Sequence, residues 1–280
     1  MSGGIRARKR FGQNFLEPAW VTKVIRAIAP QPEDRFIEIG PGRGALTLPL
    51  AALVRTLTAY EIDRDLVERL RVTAPANVTL VEGDFLELAT TDSRPTPDSG
   101  LSTPDCLRVA GNLPYNVASP ILFKLTELYA QGWPIRDATV MLQREVGDRL
   151  IAPPGGREYG VLSVLMQHTA SVERLLALPP GAFRPQPKVH SVLVRLTFHP
   201  PAPAVADSAT FVGLVQAVFT RRRKTLANAL LAYRPAGPPP GAVTPAVALE
   251  RAGLDGRRRP ETLSVAEFGR LADIYASISS

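Results

Sequence analysis

The sequence predicts an α/β fold: a mostly parallel sheet with an antiparallel hairpin at one edge, followed by a small all-α domain. Three observations carry this. Short apolar runs alternate with amphipathic helical patterns through the first two-thirds of the chain, as in a parallel sheet covered by helices on both faces. The last two runs, SVERLLAL (171–178) and HSVLVRLTF (190–198), have only PPGAFRPQPKV between them. Lacking a crossover helix, they should pair antiparallel at an edge. Beyond the linker HPPAPAVAD (199–207), helical spacing continues without strands.

The chain opens on a basic arm (Arg6, Arg8, Lys9, Arg10), and Phe-Gly-Gln-Asn breaks any helix there. Strands are expected at RFIEIG (35–40), TLTAYEI (56–62), VTLVEGD (78–84), LRVAGNL (107–113) and ATVMLQ (138–143). ALTLPLAALVR, RDLVERLRV and SPILFKLTELYA fall between them with helical spacing. The turn-forming stretch 91–104 reads as a loop inserted before the fourth strand. FVGLVQAVF, KTLANALLAY, AVALERAGL and VAEFGRLADIYASI are the expected helices of the second domain, with PAGPPPG (235–241) between the second and third. The expected domains are 1–200 and 206–280, consistent with a 280-residue chain.

With 45% hydrophobic residues the chain can bury a substantial core, which excludes wholesale disorder. No apolar run has the length of a membrane span and the N-terminus lacks an apolar signal core, so a cytoplasmic protein is expected. A single cysteine, Cys106, excludes an intramolecular disulfide and a cysteine-based zinc site, and no metal is expected. The net charge of +7 is uneven: residues 27–106 carry −6 and residues 107–280 carry +8. Arg221-Arg222-Arg223-Lys224 and Arg257-Arg258-Arg259 would each pass singly for a solvated surface. Together they fit a polyanion such as nucleic acid.

The first strand runs into Glu38-Ile39-Gly40-Pro41-Gly42-Arg43-Gly44-Ala45, where glycines let a ligand approach the backbone at the head of a helix. Glu61 follows Gly40 by 21 residues. That pattern alone fits a dinucleotide fold equally well, or a tight structural turn. Asp84 adds a second acid at the end of the next strand. Two acids at adjacent strand ends suit a ribose and an adenine amino group, and an acidic lobe suits the cationic cofactor S-adenosylmethionine better than a pyrophosphate. Both acids are also residues that begin helices.

The fourth strand ends in Gly111-Asn112-Leu113-Pro114-Tyr115-Asn116. Methylating the exocyclic nitrogen of adenine is difficult because its lone pair is delocalised into the ring. Two acceptors on its N–H groups hold it towards tetrahedral geometry. The Asn112 side-chain oxygen and the Leu113 carbonyl are candidates, with Pro114 stiffening the turn and Tyr115 offering a face to an extruded base. A sulfonium is a good leaving group, so positioning carries the rate and no strong base is needed. The plain alternative is a capped turn with a core tyrosine.

With FGQNFL (11–16), EIGPGRGALT (38–47), YEID (60–63), GDFLEL (83–88), GNLPYNVASPILFKL (111–125), MLQREVGDRL (141–150), FRPQPKVHSVLVRL (183–196) and RRRKTLANAL (221–230), the chain resembles the KsgA/RsmA-type small-subunit rRNA adenine N6-dimethyltransferase family over nearly its whole length. The resemblance implies a class I, Rossmann-like S-adenosylmethionine-dependent methyltransferase domain and a C-terminal helical RNA-binding domain. It implies dimethylation of two adjacent adenosines in the 3′-terminal hairpin of 16S rRNA, on a pre-30S particle, by a monomer. Matching motif positions place the cofactor site at Asn14, Leu16, Gly40, Glu61, Asp84 and Asn112. Asn112, Leu113, Pro114, Tyr115 and Phe183 carry the chemistry, Tyr115 and Phe183 as the aromatics that sandwich the base. Arg221, Arg222, Arg223 and Lys224 are the expected RNA contacts. The chain departs from the family pattern at Glu17-Pro18, at His190 in place of the usual Asp, and in the length of 91–104.

Three other readings compete. A related enzyme of large-subunit rRNA more often carries NIPY. An oxidoreductase leaves GNLPYN unexplained. A non-catalytic assembly factor would have no need of Asn112, Pro114 and Tyr115.

Overall fold

Residues 14–88, 106–234 and 243–277 are described in the computed structural model of the protein. The basic arm, the first three residues of FGQNFL, the 91–104 loop and PAGPPPG lie outside them. The chain divides into two units, Met1–Gly147 with Val172–Phe198, and Asp148–Ser171 with His199–Ser280.

The first unit contains, in chain order, β1 (Phe15–Leu16), α1 (Pro18–Ile28), β2 (Arg35–Ile39), α2 (Thr47–Ala51), β3 (Thr56–Glu61), α3 (Arg64–Thr73), β4 (Val78–Glu82), β5 (Leu107–Asn112), α4 (Ala118–Ala130) and β6 (Ile135–Gln143). α5 (Arg144–Ile151) crosses the boundary, α6 (Val161–Thr169) belongs to the second unit, and β7 (Ala170–Leu178), β8 (Phe183–Arg184) and β9 (Ser191–Phe198) complete the strands. The main sheet has the order β4-β3-β2-β5-β6-β9-β7, and β1 pairs with β8 in a separate antiparallel ribbon. β2 runs parallel to both β3 and β5, β5 is parallel to β6, and β9 is antiparallel to β6 with β7 beyond it at the edge. The apolar runs of β2, β5 and β6 are buried on both faces, as central strands of a covered sheet should be.

The strands' amino ends are tied by charge. Arg108, near the start of β5, donates to both Asp137 oxygens at 2.9 and 3.1 Å, to Asp34 at 2.7 Å, and to the carbonyls of Ile28 and Ala29. Arg195 donates to the carbonyls of Ala27 and Ile28. Two guanidiniums thus cap the end of α1, whose last carbonyls lack intrahelical donors. Burial of the Arg108 side chain to 4% exposure is sustained because acceptors surround it. α1 begins with Pro18 at its first position, where the missing N–H costs nothing. The sequence reading did not mark α1, α5 or α6.

The helical unit adds α7 (Ser208–Phe219), α8 (Leu226–Leu230), α9 (Pro245–Ala252) and α10 (Val265–Ala276). Asp207 caps α7 through the Thr210 N–H at 2.7 Å, and Ser264 with Glu267 forms a reciprocal cap on α10. Arg258 grips Glu267 at 2.6 and 3.1 Å and, with the Ser264 N–H, holds its carboxyl down at about 2. The core is built from Phe211, Leu214, Val218, Leu230, Leu249, Phe268 and Leu271. α6 joins this unit: His168 packs 4.2 Å from the Phe211 ring, and its Nε2 lies 2.7 Å from the Pro203 carbonyl. Asp148–Ser171 therefore groups with the helices rather than with the sheet into which the sequence reading placed it.

Candidate active site

Strand register brings the carboxyl ends of β2, β3, β4 and β5 into one row. Ile39 lies opposite both Tyr60 and Gly111, and Glu61 opposite Glu82. Because β2 has β3 on one side and β5 on the other, this is where the strand order reverses and where open α/β sheets bind ligands. A cavity of about 310 Å³ opens there. Asn14, Leu16, Gly40, Glu61, Asp84, Asn112, Leu113, Pro114 and Tyr115 all line it.

The glycine loop is shaped by Glu61. One carboxylate oxygen accepts from the Gly42 N–H and the other from the Asp63 N–H, each at 3.0 Å. Burial raises the Glu61 pKa, and these two N–H groups oppose the rise. Gly42 has φ +60, and a Cβ there would meet the Phe15 ring at 3.1 Å. Only glycine satisfies both constraints without strain. Asp84 accepts from the Leu86 N–H at 2.9 Å, capping a short 3₁₀ turn while still bordering the cavity. The cap and the place at the cavity are thus compatible in one side chain.

Gly111 brings β5 against β2, since a Cβ at that position would meet the Ile39 carbonyl oxygen at 2.6 Å. The next residue, Asn112, donates through Nδ2 to the Asn14 carbonyl at 2.6 Å. This contact fixes the amide and leaves Oδ1 as its acceptor. Leu113 N–H donates to the Met141 carbonyl at 3.2 Å, and Val117 N–H to the Pro114 carbonyl at 3.1 Å. The turn is thereby held from both sides. Tyr115 is half-buried, with its hydroxyl 2.7 Å from Ser191 Oγ.

Phe183 is placed differently from expectation. It is fully buried (0%) in the core cluster with Leu16, Val24, Leu178, Ala182 and Leu193, and pairs with Leu16 across the β1–β8 ribbon. It is absent from the cavity wall, so it presents no face to a base in this conformation. The apolar surroundings of a strand pair outweigh the exposure that flanking prolines suggested.

Several lining residues had no role in the sequence reading: Phe15, Tyr60, Ile62, Phe85 and Glu38. Tyr60 and Phe85 pack edge to face at 5.6 Å, and Ile62 is an apolar side chain left 49% exposed. Glu38 had a legible signal, an acid inside the apolar run FIEI. Its Oε2 is buried with no hydrogen-bond partner. Among the described lining residues there are three carboxyl groups and no Lys, Arg or His. Such a wall favours a cationic ligand and disfavours a pyrophosphate.

Burial pushes the Glu38 carboxyl up to about 7, with the Thr47 hydroxyl opposing and the Glu61 charge adding to the rise. A raised folded pKa means that the native state holds the proton more tightly than the unfolded chain. This contribution to stability is fully present below the ordinary 4.5 and is lost as pH rises through about 7. Glu38→Gln should therefore gain stability relative to wild type between those values and hold the gain above them. Denaturant titrations across pH measure the difference. Parallel profiles for the two proteins would show that Glu38 is not a buried proton-binding acid.

In the helical unit, Thr220, Arg221, Arg222, Arg223, Lys224, Asn228 and Leu231 border an open hollow of about 480 Å³. The basic side chains are not equivalent. Arg222 donates to the Arg157 carbonyl at 2.6 Å and to the Gly156 carbonyl at 3.4 Å, and lies 3.9 Å from Glu261. Arg221 donates to the Asn228 carbonyl at 3.2 Å. Arg223 and Lys224 are exposed.

Residues 4–267 match the family described as ribosomal RNA adenine dimethylase. The chain is 43% identical to "Ribosomal RNA small subunit methyltransferase A" of Acinetobacter baylyi over 279 residues, covering 96% of this chain and 93% of that one. It is equally identical to the protein of the same name from Pseudomonas fluorescens, covering 97% and 94%. Among solved structures it is similar to a dimethyladenosine transferase from Plasmodium falciparum, with a TM-score of 0.74, 22% identity, and 95% and 98% of the two chains covered. It is also similar to the 23S rRNA methyltransferase ErmE, with a TM-score of 0.63, 24% identity, and 95% and 100% covered. At these identities the two structural likenesses speak for the fold alone.

Proposed function

The chain belongs to the ribosomal RNA adenine dimethylase family, and we infer from that premise that its pocket holds S-adenosylmethionine and serves dimethylation of adenine amino groups in small-subunit rRNA. The observation that carries the pocket assignment is the convergence of Asn112 and Tyr115 with Glu38, Glu61 and Asp84 on one cavity. S-adenosylmethionine supplies an electrophilic methyl group on a sulfonium, with a neutral thioether as leaving group. Glu61 is positioned for a ribose and Asp84 for an adenine amino group, and these two carboxyl groups give the wall the negative potential that favours a cation.

Asn112 Oδ1 and the Leu113 carbonyl accept from the target amino group, aiming its lone pair into the cavity, and Tyr115 stacks on the extruded base. Once the new N–C bond forms, the nitrogen carries positive charge and loses its proton to solvent. Asn112 Oδ1 faces that developing charge and stabilises it.

The finer reading is two adjacent adenosines in the 3′-terminal hairpin of 16S rRNA, methylated on a pre-30S particle in the cytoplasm by a monomer. The sheet unit, 1–147 with 172–198, would carry the chemistry, and the helices of 206–280 the main RNA contacts. Of the basic quartet, Arg223 and Lys224 are the main phosphate contacts, because Arg222 is engaged by the carbonyls of Gly156 and Arg157 and Arg221 by that of Asn228. Replacing Arg223 and Lys224 by Ala should lower the slope of log K against log salt for particle binding by ~0.7–0.9 per lost contact. Arg222→Ala should instead lower thermal stability. An unchanged salt slope in the double variant would mark the cluster as solvated surface.

The function is tested with tritiated cofactor and unmethylated small subunits, followed by nucleoside analysis. The expected product is dimethyladenosine in small-subunit rRNA. Particle binding without methyl incorporation would leave only an assembly role, and label confined to large-subunit rRNA would move the substrate. Calorimetry should give tighter binding of S-adenosylhomocysteine than of NAD, and the reverse order would overturn the cofactor.

A further inference from the structure

Tyr115 and Ser191 lie 76 residues apart in sequence, yet their hydroxyls meet at 2.7 Å. Tyr115 hangs from the turn after β5, and Ser191 is the first residue of β9. One strand sets both positions. On β6, Met141 pairs with Asn112 and accepts from the Leu113 N–H, while Gln143, two residues on, pairs with Ser191. The next residue, Arg144, donates its N–H to the His190 carbonyl at 2.9 Å. Ser191 is only 2% exposed, so its hydroxyl has few alternatives to the phenol.

We propose that Ser191 is a positioning residue for methyl transfer, holding the Tyr115 ring in the place where it receives the target base. The inference rests on the methyl-transfer reading of this pocket. The physical reason lies in the geometry of a tyrosine. Its hydroxyl lies on the long axis of the ring, so a tether there stops the ring swinging about Cα–Cβ. An untethered ring on a turn samples other staggered rotamers, most of which offer no face to the cavity. Burial raises the Tyr115 pKa, so the group at the tether is a neutral phenol able to donate to Ser191. The ring is thus held at the cavity before the base arrives, which spares that part of the ordering step on binding.

The test is a double-mutant cycle read by single-turnover methyl transfer to unmethylated small subunits at saturating cofactor. Ser191→Ala and Tyr115→Phe should each slow transfer by about threefold to tenfold, the range for one net hydrogen bond. The double variant should be no slower than either single one, because both remove the same bond. Affinity for S-adenosylhomocysteine should stay at the wild-type value throughout. A merely structural serine would lower the melting temperature alike in the wild-type and Tyr115→Phe backgrounds and leave the saturated rate unchanged. A wild-type rate in Ser191→Ala, or equal slowing in both backgrounds, overturns the proposal. If Ser191→Ala fails to fold, Tyr115→Phe alone decides, and its wild-type rate would also overturn it. No transfer by the wild-type protein would bring down the methyl-transfer reading itself, and the positioning role with it. An active wild type with unaffected variants would bring down only the role of Ser191.

Discussion

Asn112→Ala should reduce single-turnover methyl transfer by ~10²-fold or more, by analogy with the loss of one preorganised group facing developing charge. The Asn112 amide is held by its Nδ2 contact to the Asn14 carbonyl, so Oδ1 is oriented before substrate arrives and costs no reorganisation in the transition state. Truncation removes that acceptor and leaves the Asn14 carbonyl without this donor. Asn112→Asp is no gentler. It sets an anionic oxygen against the Asn14 carbonyl, where an N–H now lies 2.6 Å away, and adds a fourth carboxyl to a wall that already has three. Binding to small subunits should remain near wild type in both variants, because the basic surface is untouched. Tritium transfer with saturating cofactor reads the chemistry, and filter binding reads the particle. Near-normal transfer by Asn112→Ala would reduce GNLPYN to a structural turn.

Phe183→Ala should destabilise the protein by about 3–5 kcal/mol, the range for emptying an aromatic site in a packed core. The ring is 0% exposed and packs among Leu16, Val24, Leu178 and Leu193, so little solvent or side chain is available to fill the hole. The same variant separates the two readings of this residue. A base-stacking ring would be lost with an unchanged denaturation midpoint and a slowed transfer. A core ring lowers the midpoint, and Phe183→Leu, which keeps most of the volume and loses the π face, should retain most of the wild-type transfer rate. A Phe183→Leu protein that is stable and inactive would restore the sandwich.

The placement of most of the pocket was legible in the chain because it depends on strand ends. Apolar runs that stop at Gly40, Glu61, Asp84 and Asn112 define a parallel sheet, and such a sheet puts all four ends on one side. Local pattern is enough for that inference. It was also enough to bring the two acids and the amide–apolar–proline–aromatic turn to the same cavity. The chain also announced that its last two long strands lie together at one edge, with β9 against β6 and β7 outermost.

What local pattern cannot reach is who meets whom across distance. Phe183 reads as a loop aromatic between prolines, and only pairing with β1 removes it from the pocket. Arg222 reads as one charge in a run of four, until the carbonyls of Gly156 and Arg157 claim its guanidinium. Asp148–Ser171 reads as part of the sheet domain, yet α6 finds its apolar partners among the later helices. Glu38 differs from Glu61 by nothing visible in sequence. Glu61 is satisfied by two backbone N–H groups, while Glu38 keeps a buried oxygen without a partner. In each case the residue's own chemistry was determined by the sequence, but its environment depends on contacts between segments far apart in the chain. Burial and hydrogen-bond partners are properties of those contacts, so only the tertiary structure decided which arginine is engaged, which acid keeps a buried oxygen without a partner, and which aromatic borders the cavity.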